Sequence, residues 1–477
     1  MTANGWEPVV GLEIHVQLKT RTKMFCRCES VWTEAGLENR RTCPVCLAHP
    51  GALPVPNRQA IEWTIKLGLA LGCEVAPRAL FHRKNYFYPD LPKGYQISQY
   101  DVPLASGGRV VVPTAGGDRA VGIVRAHLEE DAAKTIHVGG AAGRIAGAAH
   151  SLVDFNRGGT PLVEIVTEPD IRSPEEARDF LRLLRQTVVE LGISDAEMEK
   201  GSLRCDANVS VRRAGEAAYR TKTELKNMNS FKFVADGIAA EVARQVEAYE
   251  SGIEVVQETL HFDPGSGRLS PLRTKEEAHD YRYFPEPDLV PVEPSAELVE
   301  RLAEELPELP GARIRRFESE YGLAFYDAEV LNGSRELAAL FERVVLSGAD
   351  AKAAVNVLMN QFAAAGVEPA ATNPEELAKL IAERDRIPRG TFAEALRASG
   401  DPDFSAERYL AEAAISDESE LDPVIERILA ANESQVEAYR AGKEGLLGFF
   451  VGQVMRETQG KANPKIVNER LRERLRA

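Results

Sequence analysis

The chain has 477 residues, 44% hydrophobic and 27% charged, with a formal net charge of −15. Such values belong to a globular protein of roughly two to four domains, and the acid excess argues against a general nucleic-acid coat. No apolar run approaches the ~18 residues that span a bilayer, and Met1-Thr2-Ala3-Asn4-Gly5 lacks a basic-then-apolar leader, so a cytoplasmic protein without membrane contact is expected.

The first patterned stretch runs from Gly11 to Leu18. Leu12, Ile14, Val16 and Leu18 share one side of a strand, and Glu13, His15 and Gln17 share the other. A carboxylate and an imidazole two residues apart leave a sheet in the same direction, which makes half of a metal site. Cys26-Arg27-Cys28 and, fourteen residues on, Cys43-Pro44-Val45-Cys46 offer four thiolates from two knuckles. In a chain of this size without a leader, that set points to a structural tetrahedral zinc before disulfides. Cys73 and Cys205 have apolar neighbours and read as small buried residues.

A helix is expected after the cap Asn57, with Ile61, Ile65 and Leu69 on one face and Gly72 at its end. Arg83-Lys84-Asn85-Tyr86-Phe87-Tyr88-Pro89 interleaves basic and aromatic residues, a composition suited to phosphate and to stacking on a base or a tRNA end. His127-Leu128-Glu129-Glu130-Asp131 supplies an acid at a strand end, and periodicity cannot choose between Glu129 and Glu130. Gly139-Gly140-Ala141-Ala142-Gly143 has no strand-to-helix context and reads as a loop.

Leu162-Val163-Glu164-Ile165-Val166 is an apolar strand interrupted by one carboxylate, which must meet a cation or a metal if it is buried. Ser173-Pro174-Glu175-Glu176 opens a helix as a capping box, and Gly192 closes it. Leu203 to Val211 alternates again, with Arg204, Asp206, Asn208 and Ser210 on the polar side; Thr223-Glu224-Leu225-Lys226 repeats the theme. Five such strands presenting acids and an imidazole to one face would build an oxygen-rich site for Mg²⁺, as phosphoryl transfer from ATP requires.

All eight histidines and all six cysteines precede residue 280, which places the chemistry in the N-terminal part. Phe284-Pro285-Glu286-Pro287-Asp288, then Pro291 and Pro294, reads as a stiff linker. The remainder is helical in pattern, broken at Ser399-Gly400-Asp401-Pro402-Asp403. Its last helix, capped by Asn463-Pro464, buries Val467, Leu471 and Leu475. Residues 461–477 carry Lys461, Lys465, Arg470, Arg472, Arg474 and Arg476 against Glu469 and Glu473, a basic end that suits a phosphate backbone or simply a solvated face.

Taken together these stretches resemble the B subunit of the tRNA-dependent aspartyl/glutamyl amidotransferases, the GatB family. The resemblance rests on Gly11 to Val16, the run RKNYFYPDLPKGYQISQYD from Arg83 to Asp101, His127 to Asp131, and Asp154 to Glu164. Gly201 to Asn208, Glu224 to Ser230, Gly452-Gln453-Val454-Met455 and Gly460 to Pro464 extend it from residue 8 to the C-terminus. It implies an α+β chain with a cradle-shaped, sheet-containing catalytic domain over 1–294, including a zinc-binding excursion at 24–48. A helical domain at 295–402 and a small helical tRNA-binding tail at 403–477 follow.

The resemblance also implies a reaction. ATP phosphorylates the side-chain carboxylate of Glu misacylated on tRNA(Gln), or of Asp misacylated on tRNA(Asn), and ammonia displaces phosphate to give the amide. Magnesium would be held by residues matching His15, Glu130 and Glu164, a match that favours Glu130 over Glu129. Glu13, Lys84, Asp206 and Glu224 are the expected catalytic residues, Cys26, Cys28, Cys43 and Cys46 the zinc ligands, and Lys461 and Lys465 the expected tRNA contacts. No G-x-x-x-x-G-K-[ST] loop and no amidase or Cys–His glutaminase motif occurs, so ammonia would come from a partner. In the family that partner is the A subunit, a glutaminase, joined by the small C subunit in a heterotrimer. The rival expectation is a zinc-stabilised tRNA-binding module without turnover, which would need the tail and the cysteines but not Glu164 or Asp206.

Overall fold

The structure is a computed structural model, and it describes residues 5–31, 36–139, 147–274, 281–410, 418–458, 462 and 464–476. A run that alternates from Leu12 to Gln17 ends a long strand, β1 (Trp6–Gln17), and the main sheet is organised on both of its sides. Across the nine strands the order is β13 (Arg268–Thr274), β12 (Glu258–Asp263), β11 (Thr223–Met228), β10 (Leu203–Arg213), β1, β9 (Pro161–Thr167), β6 (Arg119–Glu130), β5 (Ala105–Val112) and β2 (Glu74–Val75). Only β11 with β12 is parallel; the other neighbours are antiparallel.

One sheet face is apolar: Leu12, Ile14 and Val16 of β1, Val163 and Ile165 of β9, and Cys205, Ala207 and Val209 of β10 are all buried there. Against it lie α2 (Pro174–Glu190) and α3 (Phe231–Glu250), which bring Phe180, Leu184, Val188, Val234 and Ile238 into one core. The helix expected after Asn57 is α1 (Arg58–Ala70); Asn57 Oδ1 accepts from Gln59 N at 2.9 Å and Ala60 N at 3.3 Å, and Gly72 follows at φ +70°. Ser173 caps α2 through the Glu176 amide at 3.1 Å, while the Glu176 carboxylate reaches one residue further back, to the Arg172 amide at 2.7 Å.

A hairpin of β3 (His82–Asn85) and β4 (Tyr95–Ser98) packs on β6, and β7 (Lys134–Val138) pairs with β8 (His150–Asp154). The proline-rich stretch expected as a linker is not free. Phe284–Pro285 forms β14 beside β3, and buried Glu286 holds the Arg83 guanidinium in two hydrogen bonds at 2.7 and 2.8 Å. Beyond it α4 (Ala296–Glu304) packs on α1 and sends Leu302 into the same core. The first compact unit accordingly runs Met1–Ala312, past the expected break at 294. The glycine-rich run continues into 140–146, outside the described residues.

The second unit, Arg313–Ala477, is built of helices around two separate apolar clusters. One contains Phe317, Phe341, Phe362, Leu377 and Phe392; the other contains Leu421, Phe450, Val454, Val467, Leu471 and Leu475. The chain is thus α+β, its sheet confined to the first unit among the described residues. No described helix is long and apolar enough to cross a membrane.

Candidate active site

On the polar face of the main sheet, antiparallel register sets side chains in cross-strand rows. Arg204, His15, Glu164 and His127 stand opposite one another across β10, β1, β9 and β6. The next row carries Asp206, Glu13, Val166 and Arg125. On the other side of the imidazole row, Gln17, Leu162 and Glu129 are aligned. Cβ atoms of opposed residues lie about 5 Å apart, so long polar side chains in adjacent rows meet.

His15 Nε2 is 3.5 Å from Glu164 Oε2, 3.5 Å from Glu129 Oε1 and 3.9 Å from Glu13 Oε1. Glu13, His15 and Glu164 form one group whose donor atoms lie within 4.8 Å of one another; His127, Glu129 and Glu164 form a second that shares Glu164. Burial opposes charge on His15, but the hydrogen bond to Glu164 and the charges of Glu129 and Glu13 outweigh it and raise its pKa to about 9. His127 is the reverse. Burial, outweighing the pull of Glu164 and aided by Arg125, pushes it down to about 4. Its Nδ1 accepts from Arg125 Nε at 3.3 Å, as a neutral ring can.

The carboxylates divide in the same way. Glu164 is held well below the usual carboxylate range, because His127, His15 and Lys84 overcome its burial. Glu13 is raised by burial and by Glu164, and Glu129 is raised chiefly by burial. Carboxylates and an imidazole with donor atoms within 4.8 Å of one another, two of the acids raised by burial despite nearby cations, are a donor set that could hold a divalent ion. An ion entering would displace the His15 proton and relieve Glu13 and Glu129.

Cations border the cluster. Lys84, expected from sequence, feels Glu129 and Glu164 and has its Nζ 5.0 Å from the Tyr281 ring centroid. Arg125 Nη2 donates to Glu164 Oε1 at 3.3 Å, and Arg204 Nη2 pairs with buried Asp131 at 3.1 Å while its Nε is buried without a partner. Lys226 bridges Asp206 and Glu224, the latter at 3.3 Å. A bulge makes that bridge. Between Cys205 and Ala207 of β10, β11 spends one residue more than its partner, and Asn227 takes φ +65°, a conformation asparagine tolerates.

Glu130 is the exception among the expected ligands. It follows Glu129 and so leaves β6 on the other side, where its carboxylate accepts from the Ile97 amide at 3.0 Å and pairs with Lys93 under the β3–β4 hairpin. Among the described residues it joins no group of metal-competent side chains; Glu129 does. His127, Arg125 and Arg204 were not among the expected site residues. His127-x-Glu129 repeats Glu13-x-His15 in mirror order, and that spacing was the available signal.

The four cysteine sulfurs also lie within 4.8 Å of one another. Tetrahedral Zn–S bonds of ~2.3 Å would separate sulfurs by about 3.8 Å, and Cys43 and Cys46 Sγ are 3.9 Å apart. A hydrogen bond from Cys26 and the nearby Lys23 pull the Cys46 thiol down to about 4. Lys23 is buried; its Nζ donates to the Phe155 carbonyl at 2.9 Å and lies 3.8 Å from Cys46 Sγ. The knuckle is tied to the loop that leads into β9. Asn39 N donates to Asp154 Oδ1 at 2.9 Å, Arg41 N to Asn156 Oδ1 at 2.8 Å, and Met24 N to the Gly159 carbonyl at 2.7 Å. The cysteine cluster therefore supports the strand that carries Glu164.

Residues 8–300 match the family described as the GatB/GatE catalytic domain, and residues 339–475 match the GatB domain. The chain belongs to the GatB family. It is 50% identical to the B subunit of the aspartyl/glutamyl-tRNA(Asn/Gln) amidotransferase of Moorella thermoacetica, over 98% of this chain and 100% of that protein. The B subunits of Geobacter sulfurreducens, at 49% over 99% of each chain, and of Myxococcus xanthus, at 46% over 100% of each, are similarly related. In this GatB-family chain the rows on β10, β1, β9 and β6 lie wholly within the catalytic-domain match.

Of the expected tRNA contacts, Lys461 and the Lys465 side chain lie outside the described residues, as does the expected cap Asn463. Part of the basic end is used internally: Arg470 pairs with Asp422 and Glu473, and Arg474 with Asp422 and Glu426.

Proposed function

We propose that this chain is the amidotransferase subunit in which misacylated Glu-tRNA(Gln) or Asp-tRNA(Asn) is activated by ATP and converted to the amide. The observation that carries the reading is the convergence of Glu13, His15, Glu129 and Glu164 from three strands, bordered by Lys84, Arg125 and Arg204. Magnesium bound among those acids would neutralise charge on the polyphosphate and on the phosphoryl group in transfer.

The side-chain carboxylate of the aminoacyl-tRNA attacks the γ-phosphorus, the bond to the bridging oxygen breaks, and ADP leaves. Arg204 Nε, buried and unpaired, is suited to donate to a phosphate oxygen, and Lys84 offsets charge from the Glu129 side. Ammonia then attacks the acyl carbon, phosphate departs, and one proton must leave the new C–N nitrogen. We assign Glu13, on the polar face beside Asp206 and Lys226, as the group that takes it. Asp206 and Glu224 hold Lys226 beside Glu13, tuning that acid.

An acyl phosphate hydrolyses in water, so ammonia is best delivered from a bound glutaminase. We assign that role to the A subunit, with the small C subunit completing a cytoplasmic heterotrimer, and tRNA contact to the tail after 403 through Lys461 and Lys465. The assembled enzyme given glutamine, ATP and each misacylated tRNA is expected to form one ADP per amide. Tight tRNA binding with no ATP consumption on either tRNA would instead support a binding module without turnover.

The four cysteines we assign to zinc, contributing on the order of 10 kcal/mol to local folding. Cys43→Ser is expected to lose the metal by elemental analysis, expose residues 24–48 to protease, and reduce amidation through the loop that leads into β9. Unchanged metal content would reject the assignment.

A further inference from the structure

The stretch from Tyr281 to Asp288, expected as a linker, is a strap laid along β3 on the side away from β4. Arg83 and Lys84 are neighbours on β3, so their side chains leave it in opposite directions, and the strap meets both. Glu286 pairs with Arg83, and the Tyr281 ring meets Lys84, whose Nζ lies 5.0 Å from its centroid. Asn85 holds the Tyr281 end: its Nδ2 donates to the carbonyls of Tyr281 at 3.1 Å and Arg282 at 2.9 Å. Arg282 sits there at φ +45°, a left-handed conformation unfavourable to any residue with a side chain, so the turn is held rather than relaxed. Tyr283 stacks on Tyr100 with ring centroids 4.3 Å apart, and Tyr281 meets Tyr86 edge-on at 5.9 Å.

The Lys84 side of the hairpin faces the acids. Lys84 stands opposite Gln96, whose Nε2 donates to the Glu130 carbonyl at 2.8 Å, and Ser98, two residues on, donates to Glu129 Oε2 at 3.2 Å. Among the described residues no hydrogen bond or ion pair holds the Lys84 ammonium, although the charges of Glu129 and Glu164 both act on it. A carboxylate in the place of the Tyr281 ring would claim that ammonium as a salt bridge. An aromatic face attracts the charge and leaves its N–H donors free. We infer that Tyr281 is a positioning residue for phosphoryl transfer, its ring holding Lys84 beside the acidic cluster with the ammonium donors free for phosphate oxygens. The inference rests on the role proposed above for Lys84.

The test uses the assembled enzyme, with kcat and the KM values for ATP and for misacylated tRNA measured separately. Tyr281→Leu is expected to lower kcat about tenfold and to leave both KM values within about twofold. Tyr281→Phe keeps the ring face and should retain kcat within about twofold. In a Lys84→Met background, Tyr281→Leu should cost less than about twofold more. Phenylalanines carrying one, two and three ring fluorines at position 281 keep the shape and drain negative charge from the face, so kcat is expected to fall stepwise across them. That series reads the ring's charge even where the leucine variant folds poorly. A flat series overturns the inference. So does an undiminished loss in the Lys84→Met background, or a loss confined to the tRNA KM, which would make the strap a tRNA contact. Unaltered kcat in Lys84→Met strikes the role of Lys84 and the inference with it; dependence on Lys84 without dependence on the ring strikes the inference alone.

Discussion

Glu164→Gln is expected to lower amidation by a factor of 10² to 10³, about 3 to 4 kcal/mol, while tRNA affinity and folding persist. Glu164 sits at the junction of both acidic groups and is the only member that meets His15, His127 and Arg125 together among the described residues. It is also the acid most firmly ionised, with His127, His15 and Lys84 overcoming its burial. Glutamine keeps the shape and removes the charge. His15 then loses one of the groups that hold its proton while Glu129 and Glu13 remain beside it, and Arg125, its side chain 33% exposed, can turn to water in place of the lost carboxylate. Single-turnover ATP consumption separates the phosphorylation step from amide release. An amidation rate within about threefold of the unaltered enzyme would reject Glu164 as a group acting on the phosphoryl transfer.

The second large effect distinguishes two adjacent carboxylates. Glu129→Gln is expected to raise the magnesium concentration needed for half-maximal activity by about tenfold or more, the usual scale for losing one ligand-sphere group. Glu130→Gln should leave that requirement unchanged and lower the thermal unfolding midpoint instead. Glu130 is buried against Lys93, itself only 12% exposed, and removing one partner of such a pair costs on the order of 3 kcal/mol. A metal requirement that shifts with Glu130 and not with Glu129 would restore the assignment made from resemblance.

That pair shows where sequence reading stops. Alternation along His127-Leu128-Glu129-Glu130 separates the two acids onto opposite sides, but it does not say which side is the site. The neighbour of β6 decides it: His127 faces Glu164 across β9, so Glu129, two residues on, shares their face. The resemblance favours Glu130, whereas among the described residues Glu129 is the one that joins a group of metal-competent side chains; a matched motif aligns residues without fixing the strand's rotation. Likewise Phe284 to Asp288 reads locally as a stiff connector, and only the ion pair from Glu286 to Arg83, 203 residues away, binds it to the hairpin.

Where one residue's chemistry depends on its near neighbours, the sequence was sufficient. The polar and apolar sides of β1, the caps at Asn57 and Ser173, the four-cysteine set and the buried last helix all follow from rules that act over a few residues. Tertiary structure alone decided the rows Arg204–His15–Glu164–His127 and Asp206–Glu13–Arg125, the bulge that turns Lys226 toward Asp206, and the pairing of the basic tail with Asp422. Strand order and register are set by burying apolar faces contributed from all along the chain, so no local window contains them. A site made of opposed residues inherits that dependence.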